Sequence, residues 1–516
     1  MTRTSRLLLL PVIVAAAAFF FYVSLHRLVD EDEGYYVLAS RLVIQHKTPY
    51  LDFFYQQAPL LPYVYAAWFK LAGLSWVAAR AFCALLTTLL AGLIYWQVCR
   101  ETGKWLAGAA AVLLFAAASL DFAWYPIVKT FALVMVFLFP AYMIFTRLGP
   151  ATPGWRIALA GALVALAADT RSYVVGVVPV FLYWLWRGCK RPAHSRSSKE
   201  WDKSRPATSA AWFLGGLIIG ALPSFILFFA SPSAFLYNNL GYHAMRTKAG
   251  LVGNFHQKLM MVAGVMGGAY TGFQFTVTAA AAIALVILLR TRRDSSLLAL
   301  LIAAALGVVS LLPTPASMQY FALVMPLLIV AAVCAVSEYV TRLSSPHEIR
   351  RAAAACAVLI VAFVGFGAPV LRQYLFTGYK VPGIRDAADV PNWTLGRLAK
   401  VSQAVNELTQ PGEQVASFFP GYIFATHADP YPGFENNFGF WVARDLSRER
   451  RAQLHLLSGG DIARVLEARG PRLVVVNSDQ GDWNAEPEAS ACVTALDASG
   501  YKIVRQVGDV YFYEAP

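Results

Sequence analysis

Charge is scarce in this 516-residue chain: 14% of its residues are Asp, Glu, Lys or Arg, against 58% hydrophobic. Soluble domains carry about 25% charged residues, so a soluble globular protein is excluded. Cysteine is sparse too. The six cysteines form no CxxC pair, and Cys492 alone lies in the polar C-terminal stretch. A disulfide inside that stretch and a cysteine zinc site are therefore excluded, and the cysteines read as small apolar fillers. No internal repeat is evident, and a single break between short apolar runs is found. An inverted-repeat transporter would show paired breaks in its two halves. A net charge of +13 suggests nucleic acid at first sight. Its basic residues fall in short loops between apolar runs, where membrane topology puts them, so no nucleic-acid partner is expected.

Apolar runs near the ~20 residues needed to cross a bilayer fill the first three quarters of the chain, and about eleven can be read. They cover roughly 7–26, 77–98, 104–120, 126–146, 157–169, 172–187, 210–230, 268–289, 296–312, 319–339 and 351–371. The first lacks a small-residue cleavage site and is expected to remain as a span. With a cytoplasmic N-terminus, every inside loop holds at least two basic residues: Arg3 and Arg6; Arg100 and Lys104; Arg147 and Arg156; Arg290, Arg292 and Arg293; Arg342, Arg350 and Arg351. The loop at 187–206 holds seven more. The odd-numbered loops then lie outside. The expected architecture is a polytopic α-helical membrane domain over 1–372, with a first external loop at 27–76, followed by a small extracytoplasmic α/β domain over 373–516. The expected location is a bacterial inner membrane.

In the C-terminal stretch, TLGRLAKVSQAVNELTQ and GGDIARVLEARG have helical periodicity, and EQVASFF and PRLVVVNS read as strands. YKIVRQVGDVYFYE reads as a hairpin turning at Gly508 and Asp509. His427, Asp429, Glu435 and Asn436 lie close together there, and a solvated loop explains them.

The acidic run Asp30-Glu31-Asp32-Glu33 stands out against this basic, apolar background. Four neighbouring carboxylates repel one another. Capping the amphipathic helix expected from Glu33, with Tyr36, Ala39, Leu42 and Val43 on one face, would occupy one of them for about 0.3–1 kcal/mol. That helix is expected to lie on the membrane surface. A further acid, Asp52, follows among aromatics in PYLDFF. Aromatic residues here suit interface anchoring and sugar stacking alike.

The stretch from Asp32 to Arg80 contains DEGYYVLASRLV, TPYLDFFYQQAPLLPY and KLAGLSWVAAR in order. It resembles the first external loop of the GT-C membrane glycosyltransferases, closest to bacterial relatives of the protein O-mannosyltransferases and the lipid A aminoarabinose transferase. The later PTPASMQYFALVMPLL resembles a late span of that family. The resemblance implies a GT-C fold and transfer of one sugar from a polyprenyl-phosphate-linked donor to an acceptor outside the membrane. It implies that Asp32 acts on the acceptor, with Glu33 and Asp52 in support. Where aminoarabinose transferases carry a lysine, this chain has Gln57-Ala58. The WWD motif of oligosaccharyltransferases is absent.

Such a transfer needs a carboxylate within about 3 Å of the acceptor hydroxyl, to take its proton. It also needs cations on the departing phosphate, for which arginine is well shaped. Arg171, at the break between two short runs, is the first candidate because charge at that depth is costly; pairing with Asp169 is its structural explanation. Lys129 is a further candidate, with snorkelling to the interface as its simpler explanation; His243, Arg246 and Lys248 could hold a phosphate or anionic lipid head groups, with Tyr35, Tyr55, Gln57 and Tyr320 lining the substrate. Asp32 and Asp52 could offer oxygen to a divalent cation, but no closed ligand set exists, so no obligatory metal is expected. The rival reading is a transporter or flippase of a lipid-linked glycan, which needs ionisable groups near the midplane.

Overall fold

The computed structural model describes residues 2–149, 152–189, 205–246, 249–288, 293–379, 381, 384, 386–477 and 487–516. The expected loop cations at 190–203, together with Lys248, Arg290 and Arg292, lie outside the described residues. Each expected apolar run coincides with helix. Among the described residues, four helices are long and apolar enough to cross a membrane: Arg3–His26, Trp76–Thr102, Met318–Arg342 and Pro346–Thr377. Two bent pairs, Ala207–Gly220 with Leu222–Ala230 (54°) and Gly250–Gly267 with Thr271–Ile287 (82°), bring the number to six if each pair is one span.

The sequence suggested about eleven spans, and the remaining expected runs are shorter apolar helices. Several runs are helices shorter than the bilayer, such as Trp105–Ala117 and Thr130–Phe145. A 13-residue helix reaches about 20 Å, against a hydrocarbon core of about 30 Å. The break expected at Asp169–Ser172 is present. The Gly154–Thr170 helix stops, Arg171 is extended (φ −152°, ψ 104°), and a 3-10 turn over Ser172–Val177 follows.

The first loop forms a Glu33–Ile44 helix whose residues from Glu33 to Leu42 are all buried. The expectation of a half-exposed surface helix is corrected: its second face is covered by the C-terminal region. Arg41 donates to the carbonyls of Ile423 (2.7 Å) and Ala428 (2.6 Å) and to the Asp429 carboxylate (2.9 Å). Gly34 permits the approach, because a Cβ there would sit 2.5 Å from the Phe419 ring and 2.8 Å from the Gly421 nitrogen.

The C-terminal region carries one five-stranded sheet. Its strands are β1 (Gln414–Ser417), β2 (Asp429–Pro430), β3 (Leu473–Asn477), β4 (Lys502–Val507) and β5 (Val510–Glu514), in the order β2-β1-β3-β5-β4. β1 runs parallel to β2 and β3, while β5 pairs antiparallel with β3 and β4. The Leu395–Leu408 helix begins at the Thr394 cap, and the Gly459–Glu467 helix begins with a Ser458–Asp461 capping box. These helices and strands fall where sequence periodicity put them. Glu435 and Asn436, read as part of a solvated loop, are buried, because this segment packs on the first loop.

Candidate functional site

The end of the first apolar helix, the loop before Thr130–Phe145, the break at Arg171 and the Met318–Leu323 turn meet beneath the C-terminal region. Asp30 initiates the first-loop helix together with Glu33. The Asp30 Oδ1 accepts from the Asp32 backbone (3.1 Å), and the Glu33 Oε1 accepts from the Asp30 backbone (2.8 Å). Local turn chemistry therefore spends two of the four carboxylates on the backbone.

Lys129 enters this acidic turn from the loop before its helix. Its ammonium sits 2.7 Å from the Asp30 Oδ1, 2.7 Å from the Asp32 Oδ2 and 2.7 Å from the Gln319 Oε1, with the Trp124 ring 4.6 Å away. An ammonium has three N–H donors, and all three are taken. This corrects the expectation that Lys129 holds a donor phosphate. Asp30 also does more than cap a helix: it is half of the buried clamp on that ammonium, with Arg27 on its other side at 3.8 Å. Asp32 keeps one oxygen outside the clamp, and its side chain is 30% exposed.

Glu33 is fully buried and bidentate on Arg80, at 2.6 Å for each contact, and it also accepts from the Val128 backbone at 2.9 Å. Both oxygens are spent on joining the first loop to the Trp76–Thr102 helix, so the supporting catalytic role expected for Glu33 is replaced by a structural one. Asp52 is exposed, and its carboxylate accepts from the Thr48 backbone at 2.6 Å. It closes its own turn and has no described contact with Asp32. Among the described residues, no group of three or more His, Cys, Asp or Glu side chains is placed to hold a metal ion.

Arg171 is 6% exposed. Its Nη1 donates to the Thr130 hydroxyl at 2.6 Å, and its guanidinium lies over the rings of Tyr320 (4.6 Å), Phe131 (4.9 Å) and Tyr173 (4.9 Å). Its Nε has no partner. No described ion pair joins it to Asp169, which interacts with Ser224 instead. Among the described residues, this buried guanidinium is held by aromatic rings and the Thr130 hydroxyl, with no carboxylate in contact.

Arg246 reaches the same place from the loop after Tyr242. Its guanidinium lies 5.7 Å from the Tyr242 ring and feels the charge of Tyr242, Tyr320 and Asp32. His243 is held well below its usual range, at about 4, first by burial and then by Arg246 and Arg171, and it bonds the Gln56 backbone. It is neutral at pH 7 and adds no charge to a phosphate site. Tyr35 and Tyr55 are both buried in the first loop. Tyr35 packs on Tyr36 at 4.1 Å and on Tyr55 at 6.2 Å, and burial raises both phenols well above their usual range. The Tyr55 hydroxyl is buried without a partner. Gln57 is half-buried, and its carbonyl accepts from Tyr50 at 2.5 Å.

Sequence reasoning passed over several residues. Thr130 and Gln319 gave no signal beyond being polar beside apolar runs, and Asp30 stood out in the acidic run only as a helix cap. Arg80 did give one: a charge inside an apolar span demands a partner, and Glu33 is that partner. The contribution of the C-terminal region was hidden by distance along the chain. Asn436 donates to Gln56, Asn437 donates to Glu31 at 3.3 Å, and Phe438 meets the Tyr35 ring edge-on at 5.6 Å.

The chain thus combines a body of apolar helices, an acidic first loop and a C-terminal sheet region that packs on that loop. Among solved structures, the chain is similar to the crystal structure of ArnT from Cupriavidus metallidurans in the apo state, an aminoarabinose transferase. The TM-score is 0.61 at 16% identity, over 98% of this chain and 97% of that one. At this identity the likeness is one of fold. Weaker similarities are found to the S. cerevisiae protein O-mannosyltransferase Pmt1-Pmt2 complex bound to the sugar donor (TM-score 0.37, 17% identity, 46% of this chain and 34% of that one). The arabinofuranosyltransferase AftD from Mycobacteria is also similar (TM-score 0.49, 16% identity, 97% of this chain and 41% of that one). No protein-family model matches the chain, and no curated protein matches it in sequence.

Proposed function

We propose that this protein is a membrane glycosyltransferase that moves a single sugar from a polyprenyl-phosphate-linked donor to an acceptor on the external membrane face. The observation that carries the reading is Arg171: a buried guanidinium with an unpartnered Nε and no carboxylate, a few side chains from an acidic turn. Arg171 and Arg246, which share Tyr320, bind the phosphate that leaves. Asp32, steadied on one oxygen by Lys129, takes the acceptor proton with the other. The acceptor oxygen bonds to C1 of the sugar as the C1–O(phosphate) bond breaks, and the electron pair departs on the phosphate. The transition state has the oxocarbenium character of glycosyl transfer, and attack from the face opposite the phosphate inverts the anomeric carbon.

The reading rests on one cluster, in which Lys129 joins the acidic turn to Gln319, next to the Tyr320 that stacks on Arg171. A transporter of lipid-linked glycan would need its ionisable groups spread toward the membrane midplane. The orientation follows the positive-inside rule, with the C-terminal sheet domain over 373–516 outside a bacterial inner membrane. The direct test is purified protein in lipid nanodiscs with a radiolabelled polyprenyl-phosphate sugar. Release of prenyl phosphate, lost in Asp32→Asn, supports the reading. Movement of labelled lipid across the bilayer without cleavage overturns it.

A further inference from the structure

Glu31 and Asn437 meet across the boundary between the first loop and the C-terminal region, and the reaction outlined above uses neither. Asn437 is 1% exposed. Its amide donates to the Glu31 Oε1 at 3.3 Å, while its own Oδ1 is buried without a partner. Its neighbour Asn436 is satisfied at both ends, donating to Gln56 and accepting from the Phe438 backbone at 3.1 Å. An unpaired buried carbonyl costs about 1–3 kcal/mol, so the half-satisfied Asn437 needs a donor from elsewhere. Of the carboxylates in the acidic turn, Asp30 and Asp32 share Lys129 and Glu33 holds Arg80. Glu31 alone has no cation in contact among the described residues, and it remains partly exposed.

We propose that Glu31 and Asn437 accept hydrogen bonds from two neighbouring hydroxyls of the acceptor, and hence that the acceptor is a sugar. This rests on the transferase reading and assigns its acceptor side. A carboxylate and a carboxamide oxygen side by side match a vicinal diol, each taking one O–H. The half-buried Phe438, edge-on to Tyr35 at 5.6 Å, supplies an apolar face for the C–H side of the sugar ring. Glu31 precedes Asp32 directly, so a hydroxyl bound there lies beside the base. Other acceptor classes fit less well. A lipid phosphate would bring an anion against Asp30, Glu31 and Asp32, whose one shared cation has no free N–H, and like charges at that range repel. A serine or threonine side chain brings one hydroxyl and leaves one of the two oxygens unmatched.

Burial, then Asp32 and Asp30, push the Glu31 carboxyl up to about 7, while Lys129 and Asn437 pull it back. The group is thus part neutral at physiological pH and can donate as well as accept. The test measures binding rather than turnover. Methyl pentosides and hexosides, each beside its monodeoxy counterparts, are titrated into the full-length protein in nanodiscs. At least one glycoside should bind, and Asn437→Ala and Glu31→Gln should each weaken it about tenfold, the size of one hydrogen bond to a charged or buried group. The deoxy compound lacking the matched hydroxyl should bind the unaltered protein as weakly as the intact glycoside binds the variant, with little further loss on mutation. Asn437→Ser, which restores an oxygen, should recover part of the affinity. If no glycoside binds, or if intact and deoxy ligands lose affinity equally in thermally stable variants, the assignment is overturned. Prenyl-phosphate release in the same preparation reports independently on the transferase reading.

Discussion

Arg171→Lys is the sharpest perturbation of the proposed phosphate site. The substitution keeps one positive charge and removes a planar fork. Nη1 is fixed to Thr130 at 2.6 Å, so the unpartnered Nε and the remaining amino group are what the side chain can offer a phosphate. Lysine can replace the Thr130 contact or one phosphate contact, but not the fork geometry. It also gives up much of the stacking on Tyr320, Phe131 and Tyr173, which lie 4.6–4.9 Å from the guanidinium carbon. One lost charge-assisted hydrogen bond is worth about 1.5–3 kcal/mol, which corresponds to roughly 10–150-fold in donor affinity. The assay is donor KM from prenyl-phosphate release, with the folded fraction checked by size exclusion in detergent. Asp169→Asn serves as the contrast, since Asp169 interacts with Ser224 and forms no described pair with Arg171. The expected result is a large rise in donor KM for Arg171→Lys and little change for Asp169→Asn. A donor KM within twofold of normal for folded Arg171→Lys would refute the phosphate role and shift it to Arg246.

Asp32→Asn should lower the transfer rate about 10²–10⁴-fold, the range for a lost general base, with donor binding largely kept; equilibrium binding beside single-turnover rates checks this. Arg80→Met should leave Glu33 charged and unpaired in the interior, costing about 3–5 kcal/mol, and should lower the thermal midpoint far more than Asp52→Asn, whose side chain only closes an exposed turn. Gly34→Val should loosen the C-terminal region from the first loop, because even a Cβ meets Phe419 at 2.5 Å, and faster proteolysis after residue 373 would report it. Burial first of all raises Glu31 and Glu435 to about 7 from an ordinary value of 4.5. A raised carboxyl favours the folded state at low pH, and that contribution is lost as pH climbs from about 4.5 through 7. The thermal midpoint should therefore fall across that window, and Glu31→Gln with Glu435→Gln should flatten the fall; an unchanged slope in the double variant would sink the assignment.

The membrane body was legible in the sequence because hydropathy is a local property: each apolar run became helix, and the interruption before Ser172 marked a real break in the chain. Span number was less legible. A run of apolar residues does not say whether it crosses the bilayer in one straight helix or bends partway, as at Gly220 and Gly267. The strands and helices after residue 394 were readable for the same local reason. The first-loop helix was misjudged because its amphipathic pattern predicts one buried face, whereas the surface that covers its other face comes from residues nearly four hundred positions away. Glu435 and Asn436 look solvated in sequence and are buried by the same contact.

Type and neighbourhood singled out the acidic turn and Arg171 as candidates, but they could not divide the work among the acids. That division follows from a count of donors and acceptors. One ammonium with three N–H groups meets Asp30, Asp32 and Gln319, and one guanidinium meets Glu33. The lysine that looked like a phosphate ligand is thereby spent on the carboxylates, and the glutamate that looked like a catalytic partner is spent on the scaffold. Among the groups left with unmet demands are Arg171 on the basic side and Asn437, beside Glu31, on the acidic side. Their demands are opposite in sign. The first calls for an anion, and the second for hydroxyl donors. A sugar phosphate approaching from one side and a sugar hydroxyl from the other would satisfy both, with Asp32 between them.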